Sequence, residues 1–376
     1  MGKRELVLIA LFLAIGVVVY QVTAPPSPAG SDLSVGGIFR SMRRGMQGPR
    51  ESVTSDSTRT YPVDAGALTL RLNISRASDL TIAAEDRDDM SVQTKATARG
   101  YELADTRATA AGAHLAVTTK GDTIVASNDW TDRREGQHAF ITQVAITLTI
   151  PRRLQVSMTP HIGVLTVKNV AGFDATGSRG DTRVTGTIGE VHLTHLGGAL
   201  EIAGGASLKL NARNSRGEIS GIAGSVSIEA TNSRLRLSDL IGPLDVESHN
   251  ADFTIEKIDG LKPPLRFNGT GGALRVDGLR GEARIDGHNT DLNVAMAAAA
   301  PVTIDNLGAI TVTAPPGGYT LDAVATEGRI AVDEPGMTPS DGPDSRAAGK
   351  VRGGGPPLTL RATRGRIEIR RSAAGK

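Results

Sequence analysis

From about Gly163 onward the chain is written in short runs of alternating apolar and polar residues. Units begin near Gly163, Gly180, Gly198, Gly217, Leu235, Ala251, Gly272, Thr290 and Ala309, at spacings of 17, 18, 19, 18, 16, 21, 18 and 19 residues. Each unit holds two short strands separated by glycine or small polar turns. The first strand presents the pairs Leu165/Val167, Thr182/Val184, Leu200/Ile202, Leu235/Leu237, Phe253/Ile255, Leu274/Val276, Leu292/Val294 and Ile310/Val312, with Ile219/Gly221 in the weakest unit. The second strand repeats the pattern from Phe173/Ala175 through Leu208/Leu210 and Leu244/Val246 to Leu321/Ala323. Alternation with period two buries one face of a strand and wets the other. A repeat of this length is the signature of a stacked-repeat architecture. The fold class expected is all-β: a single-stranded β-helix, or β-solenoid, with about 18 residues per coil, preceded by one N-terminal transmembrane helix.

The turns agree with a solenoid. Asn214-Ser215-Arg216-Gly217 recurs as Asn232-Ser233-Arg234-Leu235, and looser versions are Gly177-Ser178-Arg179-Gly180, His249-Asn250-Ala251-Asp252 and His288-Asn289-Thr290-Asp291. Asn and Gly tolerate positive φ, so these eight positions (Gly180, Gly198, Asn214, Gly217, Asn232, Asn250, Gly272 and Asn289) are read as structural corners. A second, less regular corner is marked by Gly172, Gly189, Gly224, Gly242, Gly260 and Gly281. Composition then separates a solenoid from a sandwich. Aromatics make up 3% of the 376 residues beside 45 glycines, and a narrow aliphatic stack is what so few large side chains can fill.

Residues 6–24 form an apolar stretch after Lys3 and Arg4, long enough to cover roughly 28 Å as a helix, near the thickness of a bilayer core. A cleaved signal peptide and a retained anchor compete; Pro25 directly after Val22-Thr23-Ala24 disfavours the cut, and retention is expected. The organisation expected is a cytoplasmic stub at 1–5, a transmembrane signal-anchor at 6–24 and a flexible linker at 25–58. A β-rich capping part at 59–160, regular coils at 161–335, a disordered loop at 336–356 and C-terminal strands at 357–371 follow. The last segment repeats the pattern of Tyr319 to Val332 and reads as one more coil, acting as a cap.

Tyr61-Pro62-Val63 followed by Gly66, Leu68, Leu70 and Leu72, together with the Asn214 to Gly217 corner, resembles the bacterial "putative adhesin" β-solenoid domains. The resemblance covers roughly 60 to 335 and extends to 369; at Asn232 to Leu235 the corner lacks the glycine. It implies a β-helical stack on an exported or membrane-anchored protein, with no catalytic residues to carry over.

Candidate chemistry is sparse. The chain has no cysteine, which removes disulfides, thiol catalysis and cysteine-ligated metals. Of the 7 histidines, His192 and His195 are three apart on one strand and so face opposite ways, while His249 and His288 precede corner asparagines two coils apart as solvent-facing turn residues. The run Glu85, Asp86, Arg87, Asp88, Asp89 has no glycine hinge and reads as a solvated turn, not a calcium loop. A net charge of +2 and no basic patch interleaved with aromatics exclude nucleic acid as a partner, and no cofactor is expected. The function expected is a non-catalytic, membrane-anchored envelope interaction module of the adhesin kind, single-pass in the bacterial membrane with its body outside the cytoplasm. Its partners would be the membrane, through the N-terminal helix, and an envelope protein or glycan. The alternatives are an envelope sensor or a carbohydrate-active β-helix enzyme, which needs two carboxylates about 5–9 Å apart; acidic residues in adjacent coils, for example Glu201 and Glu218, reach that spacing by chance. Two or three carboxylates with a basic residue on one flat face would favour the enzyme.

Overall fold

The computed structural model describes residues 51–372 apart from 75, 129, 131–138, 258–263, 341 and 343. The chain divides into two compact units. The smaller comprises, of the described residues, 51–54, 97–110 and 139–142, and includes most of the α-helix Leu103–Gly112. Within it the Thr54 and Thr97 hydroxyls lie 2.9 Å apart, and the Thr142 hydroxyl donates to the Thr97 carbonyl at 3.0 Å. The larger unit carries the repeat.

There each coil gives one strand to each of two parallel sheets, and the register follows the alternation. In the first sheet Leu165, Thr182, Leu200, Gly217, Leu235, Phe253, Leu274, Leu292 and Ile310 are successive lateral partners. In the second, Phe173, Val191, Leu208, Val226, Leu244, Leu265, Ala283 and Val302 stack in the same way. Both rows are buried between the sheets, except that Gly217 brings no side chain. Across the core, Phe253 of one sheet meets Phe267 of the other edge-on, with ring centroids 6.0 Å apart. The weakest coil is built on Gly217 and Ile219, not on the pair Ile219/Gly221 that alternation alone suggests. A Cβ on Gly217 would lie 2.2 Å from the Leu200 carbonyl oxygen, so the coil before it occupies that space.

At both ends spatial order departs from chain order. Strand Thr69–Asn73 lies between Gln155–Met158 and Thr123–Asn128, although all of the last two follow it in sequence. At the other end Pro357–Thr363 is inserted between Val302–Leu307 and Tyr319–Thr326, and Arg366–Arg370 between Ile310–Thr313 and Arg329–Val332. The C-terminal coil is therefore an interior coil and not a cap. Strand Ser345–Val351 lies antiparallel to Tyr319–Thr326, inside the segment expected to be disordered. Strand Glu51–Pro62 likewise covers the end of the segment read as a linker; its residues alternate in exposure but none is buried, which is why it lacks an apolar signature.

The anchor expected at 6–24 is corrected. Those residues lie outside the described ones, and among the described residues no helix is long and apolar enough to cross a membrane. The α-helix found there, Leu103–Gly112, has 10 residues and a length of about 15 Å, half a bilayer core. The transmembrane helix in the fold class, the membrane as a partner, and single-pass membrane localisation are withdrawn with it. The expectation of a body without helices also fails at Leu103–Gly112. Its alanine-rich sequence is helical by propensity, without an apolar stripe, so periodicity misses it.

Close stacking makes a direct demand at the second corner. A Cβ on Gly242 would sit 2.1 Å from the Gly224 carbonyl oxygen, whereas one on Gly66 meets nothing within 4 Å. Gly242→Ala is expected to lower stability by about 1–3 kcal/mol through overpacking, and Gly66→Ala to leave it within about 0.5 kcal/mol. Urea titration followed by circular dichroism compares them; equal midpoints for the two variants would contradict the stacking account.

Candidate interaction surface

The corners position everything that faces outward. Asn214, Asn232, Asn250 and Asn289 have φ of 52°, 50°, 51° and 55°, each between a second-sheet strand and the following first-sheet strand. Their amides carry the coil-to-coil hydrogen bonds around the bend, as Asn214 N to Thr231 O at 3.0 Å and Asn232 N to His249 O at 2.9 Å. Gly180, Gly198 and Gly272 also have positive φ, at 115°, 111° and 73°. Gly217 does not; close approach to Leu200, and not a left-handed turn, is what excludes a side chain there. The second corner is left-handed as well, through Asn169, Gly186, Gly204, Gly221, Asp239 and Lys257. Those positions mix residue types, so the sequence shows no common mark for them.

Inside the asparagine corner runs a buried polar seam that the sequence reading missed. It includes Ser178, His195, Ser215, Ser233, Ser248 and Thr290. His195 Nε2 donates to the Gly180 carbonyl at 2.9 Å, and the Ser215 hydroxyl lies 2.7 Å from Nδ1. The Ser215 amide in turn donates to the Ser233 hydroxyl at 3.1 Å, linking the next coil. The recurring Asn-Ser-Arg turn was the available signal: asparagine bends, serine bonds inward, arginine faces water. His161 is also fully buried, its Nδ1 3.2 Å from the Ile74 carbonyl. His192, His249 and His288 are exposed.

The outward rows of the two sheets differ in how their charges are matched. On the first sheet most are paired at short range. Arg183 holds Glu201 at 2.5 Å, Arg234 holds Asp252 at 3.0 Å, Arg275 holds Asp277 at 2.8 Å, and Arg236 binds Glu256. The Arg236 guanidinium holds the Glu256 carboxyl below its usual range. Glu201 and Glu218 are direct lateral partners there, about 4.8 Å apart, on an open face.

On the second sheet a shallow groove runs across five coils. One outward row is Asp174, His192, Lys209, Ser227 and Asp245; the next is Thr176, Thr194, Asn211, Glu229 and Glu247. Glu229 takes a hydrogen bond from Asn211 at 2.7 Å. Among the described residues, Asp174, Asp245 and Glu247 make no ion pair. Glu229, Asp245 and Glu247 are exposed and adjoin one another, with Lys209 at one side and Arg266 at the other. Three carboxylates and a lysine thus share one flat face, the grouping that a carbohydrate-active enzyme would show. Two features work against catalysis. None of the three is buried, so they line no water-excluded pocket in which a substrate could be enclosed. Phe173, Phe253, Phe267 and Tyr319 are fully buried, so they offer sugars no stacking platform. Among the described residues no group of three or more His, Asp or Glu side chains is placed to hold a metal ion. At the turn formed by Glu85 to Asp89, arginines neutralise the acids: Arg87 binds Asp89 at 2.7 Å and Arg152 reaches Asp86 at 3.3 Å.

Among solved structures, the chain is similar to a "putative cell adhesion protein" from Clostridium sporogenes and a "putative adhesin" from Bacteroides fragilis. The first likeness has 10% identity and a TM-score of 0.18, covering 85% of this chain and 100% of that one. The second has 11% identity and a TM-score of 0.23, covering 84% and 97%. No family model and no curated protein matches the chain.

The buried histidines give the fold a pH dependence. Desolvation holds His195 below the ordinary value of 6.5, partly offset by its bond to Gly180 and the charge of Asp181; His161 is lowered for the same first reason. The unfolded chain then binds more protons than the folded one below about pH 6.5, so stability falls as pH drops through that value. The ion-paired carboxylates Asp322 and Glu256 are lowered from 3.8 and 4.5 and lose their contribution only at more acid pH. The melting temperature is expected to fall from pH 7 to pH 5, and His195→Gln to flatten part of that slope. An unchanged slope in the variant would remove His195 from the account.

Proposed function

We propose that this chain is a non-catalytic β-solenoid interaction module, and that the outer face of its second sheet binds an extended basic segment of a partner protein. The observation that supports this reading is the unmatched charge at Asp174, Asp245 and Glu247, beside a first sheet whose charges are mostly paired. An extended chain laid along the solenoid axis meets outward side chains at each strand spacing of about 4.8 Å, with lysine or arginine supplying the counter-charge. Asn211 and the hydroxyls of Thr176, Thr194 and Ser227 supply hydrogen-bonding groups alongside.

A fluorescent oligolysine peptide tests the face by anisotropy at low and physiological salt. Asp245→Lys/Glu247→Lys is expected to weaken binding at least about tenfold, equivalent to about 1.4 kcal/mol. The control Glu201→Lys/Glu218→Lys, on the first sheet, is expected to change it less than about twofold. Equal losses in both variants would reduce the binding to general charge attraction and overturn the assignment to this face. The adjoining carboxylates Glu229, Asp245 and Glu247 also favour a second reading, cleavage of a polysaccharide. Depolymerisation by the native chain that is abolished in Glu247→Gln would select that reading instead.

A further inference from the structure

The coil at the C-terminal end is held as a plug. Its two strands, Pro357–Thr363 and Arg366–Arg370, are hydrogen-bonded on both sides by coils that precede them in the chain. Leu358, Leu360, Ile367 and Ile369 are buried in the core. The plug is joined to the preceding strand Ser345–Val351 through a short connection containing Gly353-Gly354-Gly355-Pro356, of which Gly353 and Gly354 have φ of 88° and 84°. Without the plug, the strands Val302–Leu307 and Tyr319–Thr326 would each present an unpaired edge to the same gap, and so would Ile310–Thr313 and Arg329–Val332.

The plug is also a near-copy of one wall of its slot. Thr363, Gly365, Arg366 and Ile367 match Thr326, Gly328, Arg329 and Ile330, and Arg364 and Glu327 share positive φ at 56° and 53°. At the matching positions 364 and 327 the two segments carry opposite charges. Arg364 binds Glu327 at 3.1 Å, and Arg361 binds Asp322 at 2.6 Å. Plug on plug would oppose Arg364 to itself, and wall on wall would oppose Glu327 to itself. The charges therefore select plug on wall.

Nothing in these contacts depends on the plug and the slot belonging to the same chain. We propose that the slot between residues 302–313 and 319–332 is a strand-acceptor site, and that its partner in trans is segment 357–370 of a second copy of this chain. Trans occupancy keeps the register, the buried row and both ion pairs; only the connection differs, which is the condition for strand exchange between identical chains.

Full-length chains carrying single cysteines test this directly, since the chain has none of its own. Thr303 and Thr359 are lateral partners on neighbouring parallel strands, about 4.8 Å apart, within the Cα range of a disulfide. The double variant Thr303→Cys/Thr359→Cys is expected to close an internal disulfide. Differently tagged Thr303→Cys and Thr359→Cys chains, unfolded together, refolded and oxidised, are expected to give a disulfide-linked heterodimer. Its share should rise with concentration and exceed both homodimers. Adding Arg364→Glu to the Thr359→Cys chain should lower that share at least about threefold. Closure in the double variant with no heterodimer excess at any concentration would overturn the proposal. Failure of the double variant to close would overturn it too, because the plug would then not be seated beside Val302–Leu307.

Discussion

The structure depends on parallel strands stacked in register at one strand spacing. Each coil has to retrace the path of its neighbour within about 4.8 Å, so any feature of one coil is imposed on the next. Leu200 must find room over residue 217, and glycine there supplies it. A bend that works at Asn214 must be met by another at Asn232 and Asn250, because the amide of each bonds to the coil that follows. The same constraint builds the buried seam. Polar side chains trapped inside a corner have no water, so His195 and Ser215 satisfy themselves along the stack, coil to coil.

Stacking also turns the outer faces into rows of side chains at fixed pitch. Whether a row is neutralised is then a matter of which charges happen to be neighbours. On the first sheet arginine and carboxylate fall beside one another repeatedly, and the face is largely closed on itself. On the second, Glu229 stands next to Glu247, with Asp245 two residues away on the same side. Like charges placed side by side repel. A partner of opposite charge relieves that repulsion, which is the physical reason for assigning binding to this face.

A solenoid has two ends where stacking must stop, and here both are interlocked. A late segment enters the stack at the C-terminal end, and an early one lies inside it at the other. An ion pair at the C-terminal end, formed by buried Glu334 and the more exposed Arg352, shows the same economy. Arg352 binds Glu334 at 2.7 Å while its guanidinium lies 5.7 Å from the centroid of the Tyr319 ring, so one side chain ties together three segments far apart in sequence. Burial, with the charge of Glu334 adding to it, pushes the Tyr319 hydroxyl up to about 12, so it stays neutral across the physiological range.

Much of this was legible in the sequence for a local reason. Period two within a strand and a recurrence near 18 residues between coils are both written in neighbouring side chains, so Leu165/Val167 or Leu208/Leu210 could be assigned inward without knowing what they touch. Asn214, Asn232, Asn250 and Asn289 were legible because few residue types tolerate their backbone conformation. The left-handed Lys257 was not, since its side chain favours no such bend and only the path of adjacent coils imposes it. The helix Leu103–Gly112 lacks the stripe that would announce it. The acidic groove was out of reach because Glu229 and Glu247 become neighbours only once the register is set. The C-terminal segment shows the limit most clearly. Its sequence alone determined that it would form a coil, through the same alternation and glycine as Tyr319 to Val332. Its place inside the stack was decided by the tertiary structure, because both positions bury the same apolar row, and only contacts such as Arg364 with Glu327 distinguish between them.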